Sequence, residues 1–261
     1  MDTQSADNSP KEGQPNLRQG QETLTSEYAV AFADIPATPP SGGDFHDAFL
    51  LDADAGEKSP VAVVIGDVAG HGPEQALQAE HMRELLSDCL KVGLTPAQTL
   101  SAVNAMIEPD PNFEGFGTVF VGTLEADTGK LVYASGGHEP ALISPADAAD
   151  TDVVLELEGT GPPVGAFPPS MTRFEQHQAT VPPGGTLLLY TDGVSDARPP
   201  QSRLEWLGLD RLKAFLVQLA GLPPSRLIPR LLRQVAVFCR GQFSDDVAVM
   251  AVRRTDKKYP E

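Results

Sequence analysis

Residues 61–72, VAVVIGDVAGHG, form an apolar run that ends on a carboxylate and breaks into a glycine-rich turn. The run predicts a buried strand with Asp67 at its end. Pro73 follows the turn, and its missing N–H suits the first position of the helix that the apolar spacing of residues 73–91 predicts. Asp67 is therefore either an ordinary turn residue that ends the strand or a carboxylate held in place for chemistry.

Strand and helix patterns on either side of this stretch favour an α+β fold. Short strand-like runs, many of them separated by turn sequences, cover residues 28–33, 45–51, 61–67, 118–124, 131–134, 153–157, 186–190 and 247–252. Helical spacing covers residues 73–91, 96–107, 210–219 and 224–240. Consecutive strands joined by tight turns favour antiparallel sheets, whereas a parallel fold would need a helix between most strands. The pattern predicts antiparallel sheets layered against helices.

The composition predicts one folded domain with polar ends. The chain has 261 residues, of which 41% are hydrophobic, and this is enough for a single large core. Residues 1–26 are polar and predict a disordered leader. We expect residues 27–254 to form the domain and residues 255–261 to form a short C-terminal tail.

Charge and hydropathy exclude several classes of partner. The chain has 19 basic and 36 acidic residues, with a net charge of −17. Nucleic-acid binding relies on basic patches, so the acidic balance and the lack of a basic stripe argue against a nucleic-acid partner. No apolar stretch approaches the ~20 residues of a membrane span, and residues 1–26 lack the apolar core of a signal peptide. We expect a cytoplasmic protein without a membrane partner.

Aspartates stand beside glycine or a second aspartate at four strand ends. They are Asp44, Asp67, Asp192 and the pair Asp245 and Asp246. Any one of these sites alone is typical of a turn, but carboxylates that meet in space resist ionisation. Hard divalent cations make such crowding favourable, because Mg²⁺ and Mn²⁺ prefer oxygen ligands. Residues 34–80 contain one basic residue, Lys58, so metal ions would supply the positive charge that a phosphate needs here.

Six motifs, in this order, resemble those of a known enzyme family. They are SGGDFHD, GDVAGHG, SGGHEPAL, GPPVG, YTDGVSDA and SDDVAV, between about residues 28 and 252. They resemble the metal-dependent, protein phosphatase 2C-like (PPM) serine/threonine phosphatases, and specifically the bacterial SpoIIE/RsbU branch, which regulates sigma factors by partner-switching. The resemblance implies an α-β-β-α sandwich, in which two antiparallel sheets are flanked by helices, and two bound Mn²⁺ or Mg²⁺ ions.

The resemblance also implies a role for each acidic position. Asp67 would bridge both ions, with the backbone carbonyl of Val68 as a neighbouring ligand. Asp44 would lie at the site through direct or water-mediated contact, and it joins Asp67 as a catalytic residue. Asp192 and Asp245 would complete the metal on the far side. Asp246 is the alternative to Asp245, although the Asp-Asn ending of the eukaryotic branch favours the first of the pair.

Several residues depart from the family pattern. Ala69 occupies the position of a histidine in eukaryotic members, and His71, two residues later, is interpreted as a turn residue that supports the loop. His46 occupies a position that is usually aromatic, and it is either a group behind the ligands or a proton donor. His138 is interpreted as structural. Ala248 replaces a common threonine without removing a ligand.

The function that the resemblance implies is hydrolysis of phosphoserine or phosphothreonine on a protein by a hydroxide bridging two metals, without a phosphoenzyme. The expected substrate is a STAS-type anti-sigma-factor antagonist in bacterial signal transduction and stress response. Control would come from a regulatory activator or a homodimer contact, with residues 73–107 as a regulatory switch. The alternatives are a catalytically silent binding module of the same fold and another two-metal phosphohydrolase, such as a nuclease.

Overall fold

The computed structural model describes residues 18–36, 42–110, 113–202 and 204–255. Within these residues, two antiparallel sheets lie face to face between two layers of helices. The strands are β1 (Arg18–Thr23), β2 (Tyr28–Ile35), β3 (Asp44–Leu50), β4 (Val61–Val68), β5 (Gly117–Leu124), β6 (Lys130–Gly136), β7 (Ala141–Ser144), β8 (Leu155–Leu157), β9 (His177–Thr180), β10 (Thr186–Tyr190) and β11 (Val247–Arg254). The helices are α1 (Pro73–Lys91), α2 (Pro96–Ile107), α3 (Asp192–Ser195), α4 (Gly208–Gln218) and α5 (Pro224–Phe238). The predicted α+β sandwich is confirmed.

The order of the strands separates the chain into two sheets with different helix layers. The six-stranded sheet has the order β1-β2-β11-β10-β7-β8, and α4 and α5 cover its outer face. The five-stranded sheet has the order β3-β4-β5-β6-β9, and α1 and α2 cover its outer face. A third apolar cluster fills the space between the two sheets. β3 is therefore an edge strand, and β4 is its only neighbour within the sheet.

β4 is covered on both faces, which explains why its sequence is an unbroken apolar run. Val61, Val63 and Ile65 face the cluster between the sheets, whereas Ala62 and Val64 face α1 and α2. All five residues are fully buried. Successive side chains of a strand point to opposite faces, so a strand covered on both faces needs apolar residues at every position. Asp67, near the end of β4, is only partly buried, unlike the residues before it.

The segment 1–26, predicted to be a disordered leader, includes a strand. Residues 18–23 form β1, which pairs antiparallel with β2 at the edge of the six-stranded sheet. The sequence of this strand, RQGQET, has no apolar alternation, and for that reason its polarity predicts disorder. Its backbone groups form hydrogen bonds with β2 instead. Residues 1–17 and 256–261 lie outside the described residues. Among those that are described, no helix is both long and apolar enough to cross a membrane.

Candidate metal centre

The register between β3 and β4 sets two carboxyls against each other. Asp44, the first residue of β3, is the direct cross-strand partner of Asp67 near the end of β4. Facing side chains of an antiparallel pair have Cβ atoms ~4.5–5.5 Å apart. The two carboxyls are within hydrogen-bonding reach of each other. Strand pairing alone therefore fixes the position of one group relative to the other.

Both of these carboxyls resist ionisation. Burial, followed by the charge of Asp67, raises the pKa of Asp44 well above its ordinary value. Burial, followed by the charges of Asp192 and Asp245, raises the pKa of Asp67 to about 7. Desolvation and like charge both disfavour the ionised form of a carboxyl. The fold thus brings carboxyls together, and the charged groups that act on Asp44 and Asp67 are other carboxylates of the described residues.

Gly43 leaves space for two oxygen atoms at this end of the sheet. A methyl group on Gly43 would lie 2.5 Å from Asp67 Oδ1 and 2.6 Å from the Val68 carbonyl oxygen. The Val68 N–H donates to the Gly43 carbonyl at 2.9 Å and holds the glycine against the end of β4. Asp67 Oδ1 and the Val68 carbonyl oxygen consequently face the same space, which a side chain at position 43 would fill.

Thr191 connects Asp44 to the other sheet. The buried Thr191 hydroxyl donates to Asp44 Oδ2 at 2.7 Å and accepts from the Ala248 N–H at 2.9 Å. The Thr191 N–H donates to the Ala248 carbonyl at 3.0 Å, as the end of the β10–β11 pairing. A hydroxyl has one proton, and the Ala248 N–H occupies the oxygen from the other side. The Thr191 proton is therefore directed at Asp44.

Asp192 begins α3 directly after β10. Burial, followed by the charges of Asp245, Asp196 and Glu139, raises the pKa of Asp192 to about 6. The Ser195 hydroxyl donates to Glu139 Oε2 at 3.1 Å and holds this carboxyl beside α3. Burial raises the pKa of Glu139 as well. The six-stranded sheet thus contributes its own group of interacting carboxyls beside the β3–β4 pair.

The two aspartates before β11 have different surroundings. Asp246 Oδ2 accepts from the Gly42 N–H at 2.9 Å and so ties the residues before β3 to the residues before β11. Asp245 is exposed, and its charge raises the pKa of both Asp67 and Asp192. Asp245 Oδ1 in turn accepts from the Asp246 N–H at 2.9 Å, and the charge of Asp246 raises the pKa of Asp44 and Asp67. Both members of the pair therefore contact a backbone N–H and act on the Asp67 carboxyl of β4, and Asp245 acts on Asp192 as well.

The structure brings the predicted site residues to one edge of the sandwich. They are Asp44, Asp67, Val68, Asp192, Asp245 and Asp246. The charged groups that raise the pKa values of Asp44, Asp67 and Asp192 are all carboxylates. Across the described residues, no three His, Cys, Asp or Glu side chains form a group that could hold a metal ion by themselves. The arrangement suits a hard cation that takes one or two carboxylates, a carbonyl oxygen and waters.

The three histidines singled out in the sequence have other surroundings. His46 Nε2 lies 3.0 Å from Asp34 Oδ1, and its ring packs against a phenylalanine of β2, so it braces β3 against the other sheet. His138 is buried with Nδ1 2.9 Å from the Thr118 hydroxyl, and burial lowers the pKa of His138 to about 4. His71 is exposed in the turn before α1. His46 and His138 therefore contact neighbouring strands, and the neutral His138 has a structural position.

Three residues that hold this edge together were not identified from the sequence. Thr191 orients a carboxyl, Glu139 lies beside α3, and Asp47 accepts from Arg83 at 3.0 Å and from Ser87 at 2.9 Å. The threonine directly before the aspartate of TDG was an available signal, because a hydroxyl at a strand end suits a neighbouring carboxylate. The sequence around Asp47 does not indicate its role, because its partners on α1 are 36 and 40 positions away in the chain.

Known proteins resemble this chain over most of its length. A family model described as Stage II sporulation protein E (SpoIIE) matches residues 57–255. Protein IcfG of Synechocystis sp. is 32% identical over 201 residues, which cover 67% of this chain and 30% of the relative. Phosphoserine phosphatase RsbU of Bacillus subtilis is 27% identical over 179 residues, which cover 68% of this chain and 50% of the relative. The chain thus spans half or less of the length of these curated relatives.

A solved structure has the same architecture. The crystal structure of the RsbU and RsbW domains of Rv1364c from Mycobacterium tuberculosis matches with a TM-score of 0.74 and 28% identity. The match covers 91% of this chain and 64% of that chain. Because the match covers most of the chain, it supports the sandwich architecture.

Proposed function

The chain belongs to the SpoIIE family, a bacterial branch of the metal-dependent, protein phosphatase 2C-like phosphatases, and we propose that it hydrolyses phosphoserine or phosphothreonine on a protein. One observation carries the proposal. Asp44 and Asp67 are cross-strand partners at the end of a strand pair, and the charges around them are further carboxylates. Such a site is unfavourable without cations and becomes suited to binding a phosphoryl group once cations are present.

The residues at this edge fit hard divalent cations. Their donor atoms are carboxylate and carbonyl oxygens, the ligands that Mg²⁺ and Mn²⁺ prefer. Asp67, Asp44 and the Val68 carbonyl would hold an ion from the β3–β4 side. Asp67, Asp192 and Asp245 would hold the second. Waters would supply the remaining ligands, which agrees with a site whose side chains do not enclose an ion completely.

The chain's own contribution is to keep these ligands in place. When bound, two divalent ions supply positive charge to phosphoryl oxygens and lower the pKa of water from ~16 toward neutrality. Thr191 orients Asp44, and Gly43 leaves open the space that Asp67 Oδ1 faces. Asp246 anchors the residues before β3 through a backbone N–H. Asp245, which is exposed and acts on carboxyls from both sheets, is the proposed ligand, with Asp246 as the alternative.

A phosphorylated STAS-type anti-sigma-factor antagonist is the proposed substrate. The relative RsbU is named a phosphoserine phosphatase, and the Rv1364c structure combines an RsbU domain with an RsbW domain. The name of RsbU supports a phosphoserine as the substrate group, and the place of this chain in cytoplasmic partner-switching is part of the proposal. The surface of α1 and α2 is the proposed contact for a regulatory activator or a second copy. Asp47 fastens α1 to β3, three residues from Asp44, so a contact on α1 lies close to a ligand.

The experiment that tests this activity is hydrolysis of p-nitrophenyl phosphate by the purified chain with Mn²⁺, with Mg²⁺ and with EDTA. We expect turnover only with a divalent ion, and a loss of more than ~100-fold in the Asp67→Asn variant, since even residues that merely support a ligand contribute ~10–100-fold. Asp147→Asn, at an exposed position outside this edge, is the matched control and should retain turnover.

The other outcomes separate the alternatives. A stable chain that binds Mn²⁺ but hydrolyses nothing would support a catalytically silent module. Cleavage of duplex DNA under the same conditions would support a nuclease instead. Phosphate release from a phosphorylated STAS-type antagonist, measured against the same protein phosphorylated on an unrelated loop, would test the proposed substrate.

A further inference from the structure

The positive charge of this acidic chain is concentrated in one region. Residues 198–240 contain eight basic and two acidic residues, in a chain with a net charge of −17. Four exposed arginines lie on or directly after α5: Arg226, Arg230, Arg233 and Arg240. We call these four residues the basic face. The expectation from the sequence that the protein has no basic stripe is wrong here, because the four charges are separated by the buried apolar residues of an amphipathic helix.

The basic face is not neutralised by neighbouring carboxylates. Among the residues that the structure describes, none of its four arginines has an Asp or Glu within ion-pair distance. Several other basic side chains of the described residues do form ion pairs, for example Arg83 with Asp47, and Lys213 with Glu156 at 2.9 Å. A guanidinium group carries five N–H donors that suit carboxylates or phosphates. Arg240 lies against the side-chain amide of Gln201 and contacts no carboxylate there.

The basic face is connected through a few residues to the proposed metal site, the edge of the sandwich that carries Asp44, Asp67, Asp192 and Asp245, which we call the metal edge. α5 has 15 residues, so it is roughly 22 Å long at 1.5 Å per residue. Its C-terminal end leads through residues 239–244 to Asp245, the proposed ligand. Arg240 has φ = 53°, a left-handed conformation that favours glycine at the position after a helix. The chain thus keeps an arginine, at a conformational cost, at the end of the helix closest to the proposed site.

Apolar side chains lie beside this end of the helix. The Leu207 N–H donates to the Ala197 carbonyl at 2.8 Å, five residues after Asp192, and this bond closes the base of the connection to which residues 198–202 and 204–206 belong. At its tip, Leu204 is 88% and Trp206 52% exposed. Arg211 connects Trp206 to α5. It donates to the Trp206 carbonyl at 3.1 Å, and its guanidinium group lies over the ring of Phe238. Exposed Trp and Arg side chains together are typical of the residues that dominate binding energy at protein interfaces.

We propose that the basic face, with Leu204 and Trp206, is the docking surface for the phosphoprotein substrate and that it selects acidic residues flanking the phosphorylated serine. This inference rests on the proposed phosphatase activity. The metal edge would take the phosphoryl group, and the arginines would take carboxylates further along the same segment. The basic face is thus the complement of an acidic peptide segment, and it lies where that segment would leave the site.

A short acidic segment fits this surface better than a membrane or a nucleic acid. Duplex DNA or an anionic membrane extends beyond α5 and would meet the acidic remainder of the protein. That repulsion acts over ~8 Å at physiological ionic strength. A peptide segment of a few residues can lie along the arginines without reaching the acidic surface.

The test compares two phosphoserine peptides that differ only in their flanks, one with three glutamates after the phosphoserine and one with three lysines. With Mn²⁺, we expect kcat/KM for the acidic peptide to exceed that for the basic peptide by about tenfold, as two or three exposed ion pairs would give. The ratio should shrink at high salt. In the double variant Arg230→Glu and Arg233→Glu the ratio should fall to one or invert. Arg173→Glu, an exposed arginine outside the basic face, should leave the ratio intact.

A second variant tests whether the loss of peptide preference arises from the lost charge or from unfolding. Arg240→Gly places the residue that favours a left-handed conformation at φ = 53°, so we expect an unchanged or higher Tm together with a smaller peptide ratio. Equal kcat/KM for both peptides in the unmodified chain would overturn the inference while leaving the phosphatase activity intact. Failure to hydrolyse either peptide or p-nitrophenyl phosphate would instead overturn the activity itself. Binding of duplex DNA or phosphatidylglycerol vesicles through Arg230 and Arg233, with no peptide preference, would reassign the face and overturn the inference.

Discussion

The two halves of the metal edge are built in different ways. In the strand half, Asp44 and Asp67 are fixed by the ladder of β3 and β4 and by the space beside Gly43. In the loop half, Asp192 begins a four-residue helix, and Asp245 is exposed in the turn before β11. The pKa of Asp67 is raised to about 7 and that of Asp192 to about 6, with burial as the largest cause in both.

The difference indicates a division of work. The strand half fixes two of the proposed ligands through a strand ladder, and burial raises the pKa of both carboxyls. The loop half adds carboxyls from segments that no strand ladder pairs with β3 or β4. Thr191 is the link between them, because its hydroxyl contacts Asp44 from the end of the six-stranded sheet. Four predictions test this comparison.

The largest effect on metal binding and turnover is expected from Gly43→Ala, which changes the packing of the strand half. Its methyl group would lie 2.5 Å from Asp67 Oδ1 and 2.6 Å from the Val68 carbonyl oxygen, so one of these oxygens must move. Such overpacking costs ~1–3 kcal/mol of stability, and we expect activity as low as that of Asp67→Asn. Calorimetric Mn²⁺ titration and p-nitrophenyl phosphate turnover measure it. Gly159→Ala, where no heavy atom lies within 4 Å, is the control; equal behaviour of the two variants would refute the crowded geometry.

A smaller effect is expected in the loop half, where Asp245→Asn and Asp246→Asn separate the two neighbouring aspartates. Asp245→Asn should weaken Mn²⁺ binding by about 100-fold, at the upper end of the ~10–100-fold range for ligand supports. Asp246→Asn should retain most of the affinity, because an amide oxygen can still accept from the Gly42 N–H. Mn²⁺ affinity by calorimetry decides between them. The reverse ranking would identify Asp246 as the ligand.

The link between the halves should have an intermediate effect. Thr191→Val keeps the shape but removes the proton donated to Asp44 and leaves the Ala248 N–H unpaired. We expect Mn²⁺ affinity to fall by ~10-fold, with partial recovery in Thr191→Ser, which restores the hydroxyl. If valine and serine bind Mn²⁺ equally well, the hydroxyl does not orient Asp44.

The smallest effect is a pH dependence of stability. The pKa of Asp67 is about 7 in the fold against an ordinary value of 3.8, so the metal-free folded state binds protons more tightly than the unfolded state. This contribution is fully present below pH ~4 and is lost as the pH rises through ~7. His138, with its pKa lowered to about 4, acts in the opposite direction. We therefore expect the Tm gap between Mn²⁺-loaded and EDTA-treated protein to widen by a few degrees from pH 5 to pH 8, since His138 contributes equally to both. A constant gap would contradict the crowding of carboxyls.

The sequence predicted most elements with strong apolar patterns, but it missed the short buried strand β7 and the polar strands β1 and β9. The bounds of α1, α2 and β10 follow directly from their patterns and their N-terminal prolines or turn residues. β1 and β9 are outermost strands of their sheets, and their sequences, RQGQET and HQAT, have no apolar alternation. An edge strand needs only one neighbour for its hydrogen bonds, so its sequence need not be apolar.

The site was predictable as a set of residue types but not as an arrangement. Asp44, Asp67 and Asp192 were identified because each adjoins a strand and a glycine or threonine. Their pairing depends on register, which is decided by contacts between segments far apart in the chain. Thr191 and Asp44, for example, are 147 positions apart. No local pattern encodes such a contact.

The β3–β4 ladder also decides where the chain can change in length. One extra residue within β3 would shift Asp44 by one position along β4 and turn its side chain to the opposite face of the sheet. The short helical segment Ala53–Lys58 joins the other ends of the same two strands, and at Gly56 an added Cβ would meet nothing within 4 Å. Insertions and deletions among homologous chains should therefore collect in this connection, while the number of residues from Asp44 to Leu50 stays constant.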